Sequence, residues 1–309
     1  MRLIPIVLVS AFILKASAQN CLPPIGDIGQ KEFKGYSGGL YPDGKNIRPA
    51  GHKEKGLKLA REISPLNQDG IKDPKGQLVF LSIGMSNTSM EFSIFKKIAD
   101  TASNISPNLT LVNGSFGGYD INRILDPGTD YWDKVERRLS DAGLSNKQVQ
   151  IVWFKEAEAG LKDTLFPEYP LRIKEMFKQA VIKLSQSFPN LKLIYLASRT
   201  YGGYATVNLN PEPIAYYSVW SVKWLIEDQI NGDQELAYDE VPWLSWGPYL
   251  WANGSEKRKD GFSWEREDFV ERDGTHPSES GCRKVAQLLY DYFSTDEVSR
   301  IWFTRDNNP

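Results

Sequence analysis

The chain has 309 residues, with 37 Lys and Arg against 39 Asp and Glu, two histidines and two cysteines. A formal charge of −2 and a pI near 5.9 give no electrostatic reason to expect nucleic acid as a partner. Two histidines and two distant cysteines are too poor a donor set for a transition-metal centre, so neither a metal nor a cofactor is expected.

Residues 1–18 read as a secretory signal peptide. Arg2 supplies the charged region, Leu3 to Leu14 the apolar run, and Ala16-Ser17-Ala18 a small-residue cleavage site before Gln19. The run is too short to span a bilayer and no later segment is longer, so the expectation is a secreted chain with no membrane span. Cys21 and Cys282 would then meet an oxidising compartment, where a disulfide between them is slightly favoured over two free thiols. Residues 19–76 are rich in Gly, Pro, Lys and Asp, with one amphipathic segment, His52 to Ile63. They read as an N-terminal arm packing on a core formed by residues 77–309. His52 has no nearby carboxylate partner and reads as a surface or helix-capping residue.

From Gln77 apolar strands alternate with helical patterns. Strands are expected at Leu78–Ile83, Leu109–Val112, Gln150–Phe154 and Leu191–Ala197, with helices near Thr88–Thr101, Tyr131–Ala142 and Leu171–Phe188. Continuously apolar strands separated by helices imply a parallel sheet covered on both faces. In such sheets the active site lies beyond the carboxyl ends of the strands. Ser86 falls there, on a strand-to-helix turn after Gly84. The free N–H groups of the helix start would favour an oxyanion at that place. After the second strand comes Asn113-Gly114-Ser115-Phe116-Gly117-Gly118, where a tight turn explains one glycine more easily than three. After the third comes Lys155-Glu156-Ala157-Glu158.

The segment from Ser198 to Arg272 is long for a βα connection and carries six of the nine tryptophans. Tyr217, Trp220, Trp224 and Ile226 fit one side of a helix and read as core. Pro242 to Trp251 lacks helical spacing, and part of it reads as a fifth strand. Trp243, Trp246 and Trp251 are candidate stacking platforms for a sugar or aromatic acyl group, with ordinary burial about as good a reading.

Asp273-Gly274-Thr275-His276-Pro277-Ser278 precedes an amphipathic run, Lys284 to Phe293. Pro277 is the expected first helical residue, with Ser278 and Glu279 in the first turn. An aspartate three residues before a histidine can reach one ring nitrogen and leave the other free to act as a base. Taken with Gly84-Met85-Ser86 and Gly281, this stretch resembles the SGNH, or GDSL-type, hydrolases, with Met85 standing where that family usually has aspartate. The resemblance covers roughly Gln77 to Phe293. It implies Ser86 as nucleophile, His276 as base and Asp273 as its orienter. It also implies an oxyanion hole from the amides of Ser86 and Gly118, with Gly117 the second choice of glycine.

The family's third oxyanion donor is an asparagine, and here Glu158 stands in its place. An ionised carboxylate cannot donate a hydrogen bond. Three accounts stay open: two donors suffice, a protonated Glu158 donates, or Lys155 supplies the positive charge. The expected architecture is an α/β three-layer sandwich with a mainly parallel, flavodoxin-like sheet flanked by helices on both faces. The expected function is a secreted serine esterase acting on a small-molecule or carbohydrate ester. Two alternatives stand beside it. One is a carbohydrate-binding protein on the same fold, weakened at Glu158. The other is a glycosidase using Glu156 or Glu158, which would leave Ser86 and His276 unexplained. The Gly-x-Ser-x-Gly elbow of α/β-hydrolases is absent.

Overall fold

The apolar runs become five strands, β1 (Leu78–Gly84), β2 (Leu109–Asn113), β3 (Val149–Lys155), β4 (Leu193–Ala197) and β5 (Trp243–Trp246). All pair in parallel, in the order β2-β1-β3-β4-β5. The structure, a computed structural model, describes residues 22–160 and 163–305. The expected signal peptide and Cys21 therefore lie outside the described residues. Every residue of β1, β3, β4 and β5 is buried, because both faces of the sheet are covered.

Alternation along the strands feeds two cores. Val79, Leu81 and Ile83 join Tyr131, Phe177 and Leu225 on one face, while Leu78 and Phe80 join Phe92, Phe95 and Phe293 on the other. Among the described residues six helices of eleven residues or more accompany the sheet. They are α1 (Ala50–Glu62), α2 (Ser86–Thr101), α3 (Tyr131–Asp141), α4 (Glu168–Ser187), α5 (Ile214–Ile230) and α6 (Glu279–Thr295). α2 and α6 pack together over one face, and α4 and α5 over the other. This is the three-layer α/β architecture expected from the alternation of strands and helices.

Three local expectations are corrected. α5 is not an amphipathic helix with one apolar side: every residue from Ile214 to Ile226 is buried. Its outer side is covered by residues 22–48, with the Phe33 ring stacked 5.8 Å from Trp220 and Tyr36 5.0 Å from Trp224. His52 is not a surface residue, because it lies buried on α1 with its ring stacked 5.0 Å from Trp243. Gly56 brings α1 that close. A Cβ there would stand 2.6 Å from the Trp243 ring. Finally, α6 begins at Glu279 rather than Pro277. Ser278 is its N-cap, accepting from the Gly281 amide at 3.3 Å.

Among the described residues no helix is long and apolar enough to cross a membrane.

Candidate active site

Strand order reverses between β1 and β3, since β2 lies on one side of β1 and β3 on the other. Beyond the carboxyl ends of these two strands the loops diverge and leave a crevice. Ser86 opens α2 immediately after β1, so its amide is among the first three of the helix, which have no intrahelical acceptor. Gly84 is required by close approach: a Cβ would lie 2.3 Å from the Lys155 carbonyl and 2.4 Å from Thr88 Oγ1. The Tyr131 hydroxyl ties the first two loops together, accepting from the Gly84 amide at 3.2 Å and donating to the Gly114 carbonyl at 2.9 Å.

His276 arrives from the turn before α6. Gly274 has φ +60°, and a Cβ there would strike the Tyr204 carbonyl at 1.8 Å, so only glycine fits. The Asn87 amide donates to the Thr275 carbonyl at 2.9 Å and fixes this turn against the start of α2. The result is a continuous chain of contacts. Ser86 Oγ lies 2.9 Å from His276 Nε2, and His276 Nδ1 lies 2.9 Å from Asp273 Oδ2. Asp273 Oδ1 also accepts the amides of Thr275 and His276, each at 2.9 Å. Burial opposes an ionised Asp273, but those two amides and the imidazole outweigh it and hold the carboxyl below the usual carboxylate range. An ionised Asp273 accepts Nδ1–H, which leaves Nε2 with its lone pair facing the Ser86 hydroxyl.

A cavity of about 300 Å³ sits over this chain, lined by Met85, Ser86, Asn87, Gly118, Asp120, Arg123, Ala159, Arg199, Leu209, Asn210, Thr275 and His276. A larger depression of about 850 Å³ opens at the amino end of β1, around Leu78 and Ser106, and holds no histidine. Gly118 lines the smaller cavity with φ +82°. Gly117 is placed against Ser86 instead, where a Cβ would stand 3.6 Å from Ser86 Cβ.

The other sequence candidates do not line the cavity. The Glu158 carboxylate is buried behind it, bound by Arg172 at 2.6 and 3.1 Å and by the Asn122 amide at 3.3 Å. It faces a guanidinium, so neither a protonated donor nor a repulsive charge at the oxyanion is needed to explain it. Lys155 is fully buried and paired with Glu91 at 2.5 and 2.6 Å, which spends its charge inside the protein. Trp243, Trp246 and Trp251 are buried at 0–2 % exposure and cannot stack on a ligand. Their indole N–H groups donate inward, to the His52 carbonyl, the Leu40 carbonyl and Glu212. Apolar residues in that stretch are core, Trp243 and Trp246 beneath residues 22–62 and Trp251 against Tyr201 and Tyr216.

Asn87, Tyr131 and Arg199 were missed from sequence. The first follows Ser86 directly and the third follows a strand end, which are the two places where such residues are found. Tyr131 carried no local signal, because its role depends on two loops meeting. Cys282 is buried in α6, and burial pushes its thiol up to about 12.

Neither a family model nor a curated protein matches this chain. Solved structures give distant likenesses. A proposed acylhydrolase from Bacteroides fragilis is 11% identical with a TM-score of 0.41, covering 79% of this chain and 97% of that one. An Arabidopsis thaliana protein is 14% identical with a TM-score of 0.36, covering 66% and 67%. A salicylyl-acyltransferase from a tetracycline biosynthetic pathway is 15% identical with a TM-score of 0.32, covering 72% and 56%. At these scores the likenesses decide nothing about what this chain does.

Proposed function

We propose that this protein is a serine-dependent ester hydrolase of the SGNH type, exported by its N-terminal 18 residues and acting on a small-molecule or carbohydrate ester. One observation carries the reading: the unbroken contact chain from Ser86 through His276 to an ionised Asp273 at the floor of a cavity. Ser86 Oγ attacks the ester carbonyl as His276 Nε2 takes its proton, forming the tetrahedral intermediate. His276 then returns the proton to the departing alcohol. Water, deprotonated by the same nitrogen, cleaves the acyl-enzyme and regenerates Ser86. Asp273 holds the imidazole in the required tautomer and balances its transient charge.

The amides of Ser86 and Gly118 are the donors for the oxyanion. With Glu158 and Lys155 engaged elsewhere, a two-donor hole is the account the geometry favours. The rival readings lose their support. Carbohydrate stacking was assigned to three tryptophans that are buried. A glycosidase would need Glu156 or Glu158, yet both are buried, and Glu158 is held by Arg172.

The test is labelling with a fluorophosphonate probe. A stoichiometric adduct on Ser86 by peptide mass spectrometry, absent in Ser86→Ala, is expected, with release of 4-nitrophenol from 4-nitrophenyl acetate by the unlabelled protein. An unreactive Ser86 sinks the proposal. Export is tested separately by the mature N-terminus, expected at Gln19.

A further inference from the structure

The loop that carries Gly118 has two consecutive glycines at its tip, and one side chain holds them. Gly117 and Gly118 are exposed, and Gly118 has φ +82°, a conformation that glycine enters and leaves at little cost. Its amide can serve an oxyanion only while the backbone on both sides of it stays in place.

The two ends of the loop are well anchored. Upstream, the Gly114 carbonyl accepts from the Tyr131 hydroxyl, and the Phe116 amide donates to the Gly84 carbonyl at 3.0 Å. Downstream, the Asp120 carboxylate accepts the Ala159 amide at 3.0 Å, and the Ile121 amide donates to the Ala157 carbonyl at 3.0 Å. Between these anchors lie Gly117, Gly118 and Tyr119. Among the described residues, the hydrogen bond that reaches their backbone from outside the turn comes from Arg123. Its Nη1 donates to the Gly118 carbonyl at 2.7 Å, a short, charge-assisted bond.

Arg123 is itself held in position. It sits on the short helix Ile121–Leu125, whose N-cap Asp120 accepts the Arg123 amide at 3.1 Å. Its guanidinium lies over the Tyr119 ring, 5.4 Å from the ring centre. The Tyr119 hydroxyl in turn donates to Asp130 at 2.5 Å and accepts from Lys134 at 2.6 Å. A planar guanidinium stacked on a held ring has a fixed direction, which a flexible ammonium lacks. The side chain also lines the cavity that contains Ser86 and His276.

We propose that Arg123 is a positioning residue that locks Gly118 in its oxyanion-binding conformation. This deepens the hydrolase reading and rests on it for turnover, whereas the anchoring of the loop does not. A hole with two donors has no third donor to compensate for a loose one, so the rate depends on how firmly Gly118 is held. Arg123 acts through the Gly118 backbone and makes or breaks no bond in the reaction.

The test uses two variants of the full chain. Arg123→Met keeps the stem of the side chain without a donor, and Arg123→Lys keeps a cationic donor for the carbonyl. The side chain is exposed, so both should keep the wild-type thermal midpoint. With 4-nitrophenyl acetate, kcat of Arg123→Met should fall about 10²-fold, the size of losing one oxyanion donor, while KM stays within about threefold. Arg123→Lys should recover most of the loss. A second readout needs no turnover. In ¹⁵N-glycine-labelled protein, the Gly118 amide should show microsecond-to-millisecond exchange by relaxation dispersion in Arg123→Met, and none in the wild type. An unchanged kcat in Arg123→Met overturns the proposal. So does a lost kcat with Gly118 as rigid as in the wild type, which would assign the effect to charge alone. If the wild type neither hydrolyses the ester nor takes the fluorophosphonate, the hydrolase reading falls. The glycine relaxation then decides by itself whether Arg123 anchors the loop.

Discussion

Ser86, His276 and Asp273 depend on one another, and their substitutions should therefore not have additive effects. Ser86→Ala and His276→Ala should each remove nearly all esterase activity, and the double variant should lose little more. Asp273→Asn keeps the size of the side chain but offers the imidazole the wrong partner, and kcat should fall by roughly 10³–10⁴. Glu158 tests the opposite expectation. Because its carboxylate is bound to Arg172 and Asn122 rather than aimed at the cavity, Glu158→Gln should leave kcat/KM for 4-nitrophenyl acetate nearly unchanged. The loss should instead appear in stability, at about 1–2 kcal/mol by chemical denaturation, because a charge-assisted pair is weakened. A large drop in kcat with unchanged stability would return Glu158 to the catalytic site.

At the level of elements, α2 and β3 are joined by the buried Lys155–Glu91 pair, which lies under the site without entering it. Burial lowers Lys155 to about 8 in spite of Glu91. Removing one partner strands the other, so Glu91→Gln should destabilise the fold by about 3–5 kcal/mol, whereas the double variant Glu91→Leu with Lys155→Met should recover most of that. Denaturant midpoints of the three variants check this, and equal losses in single and double variants would refute the pairing account. The pair also marks the limit of what sequence could give. Strand runs such as Leu78–Ile83 and the Asp273–His276 spacing were readable because their signals are local: continuous apolarity, and a three-residue reach. The partner of Lys155 was not readable, since Glu91 lies 64 positions away and meets it only through sheet order. The tryptophans of 243–251 misled for the same reason. Trp243 and Trp246 are covered by residues 22–62 folding back across β5, and Trp251 packs on Tyr201 and Tyr216, which no local periodicity encodes.

For the whole molecule, the attachment of residues 22–62 to the sheet sets how it responds to acid. This segment meets β5 through Tyr41 and Arg48 on Ser245 and the His52 ring on Trp243, and it meets the end of α6 through Arg48 on Asp296 at 2.5 Å. His52 Nδ1 is 2.8 Å from the Tyr238 hydroxyl, and Nε2 is buried without a partner. Burial first, and the nearby Arg48 charge second, lower the His52 ring from 6.5 to about 4. Between those values the unfolded chain binds a proton that the folded chain refuses. The contribution to stability is therefore complete above pH 6.5 and is lost as pH falls toward 4, and by the linkage relation the loss reaches about 3 kcal/mol. His52→Phe should remove that part of the pH dependence, although its stability at pH 7.5 is set separately by how the ring packs on Trp243. Denaturant unfolding of wild type and His52→Phe at half-unit steps from pH 7.5 to pH 4.0 measures it. The difference in stability between the two should shift steadily in favour of the variant below pH 6.5. A constant difference across the range would mean that His52 is protonated as readily in the fold as in the unfolded chain, and that acid sensitivity lies elsewhere.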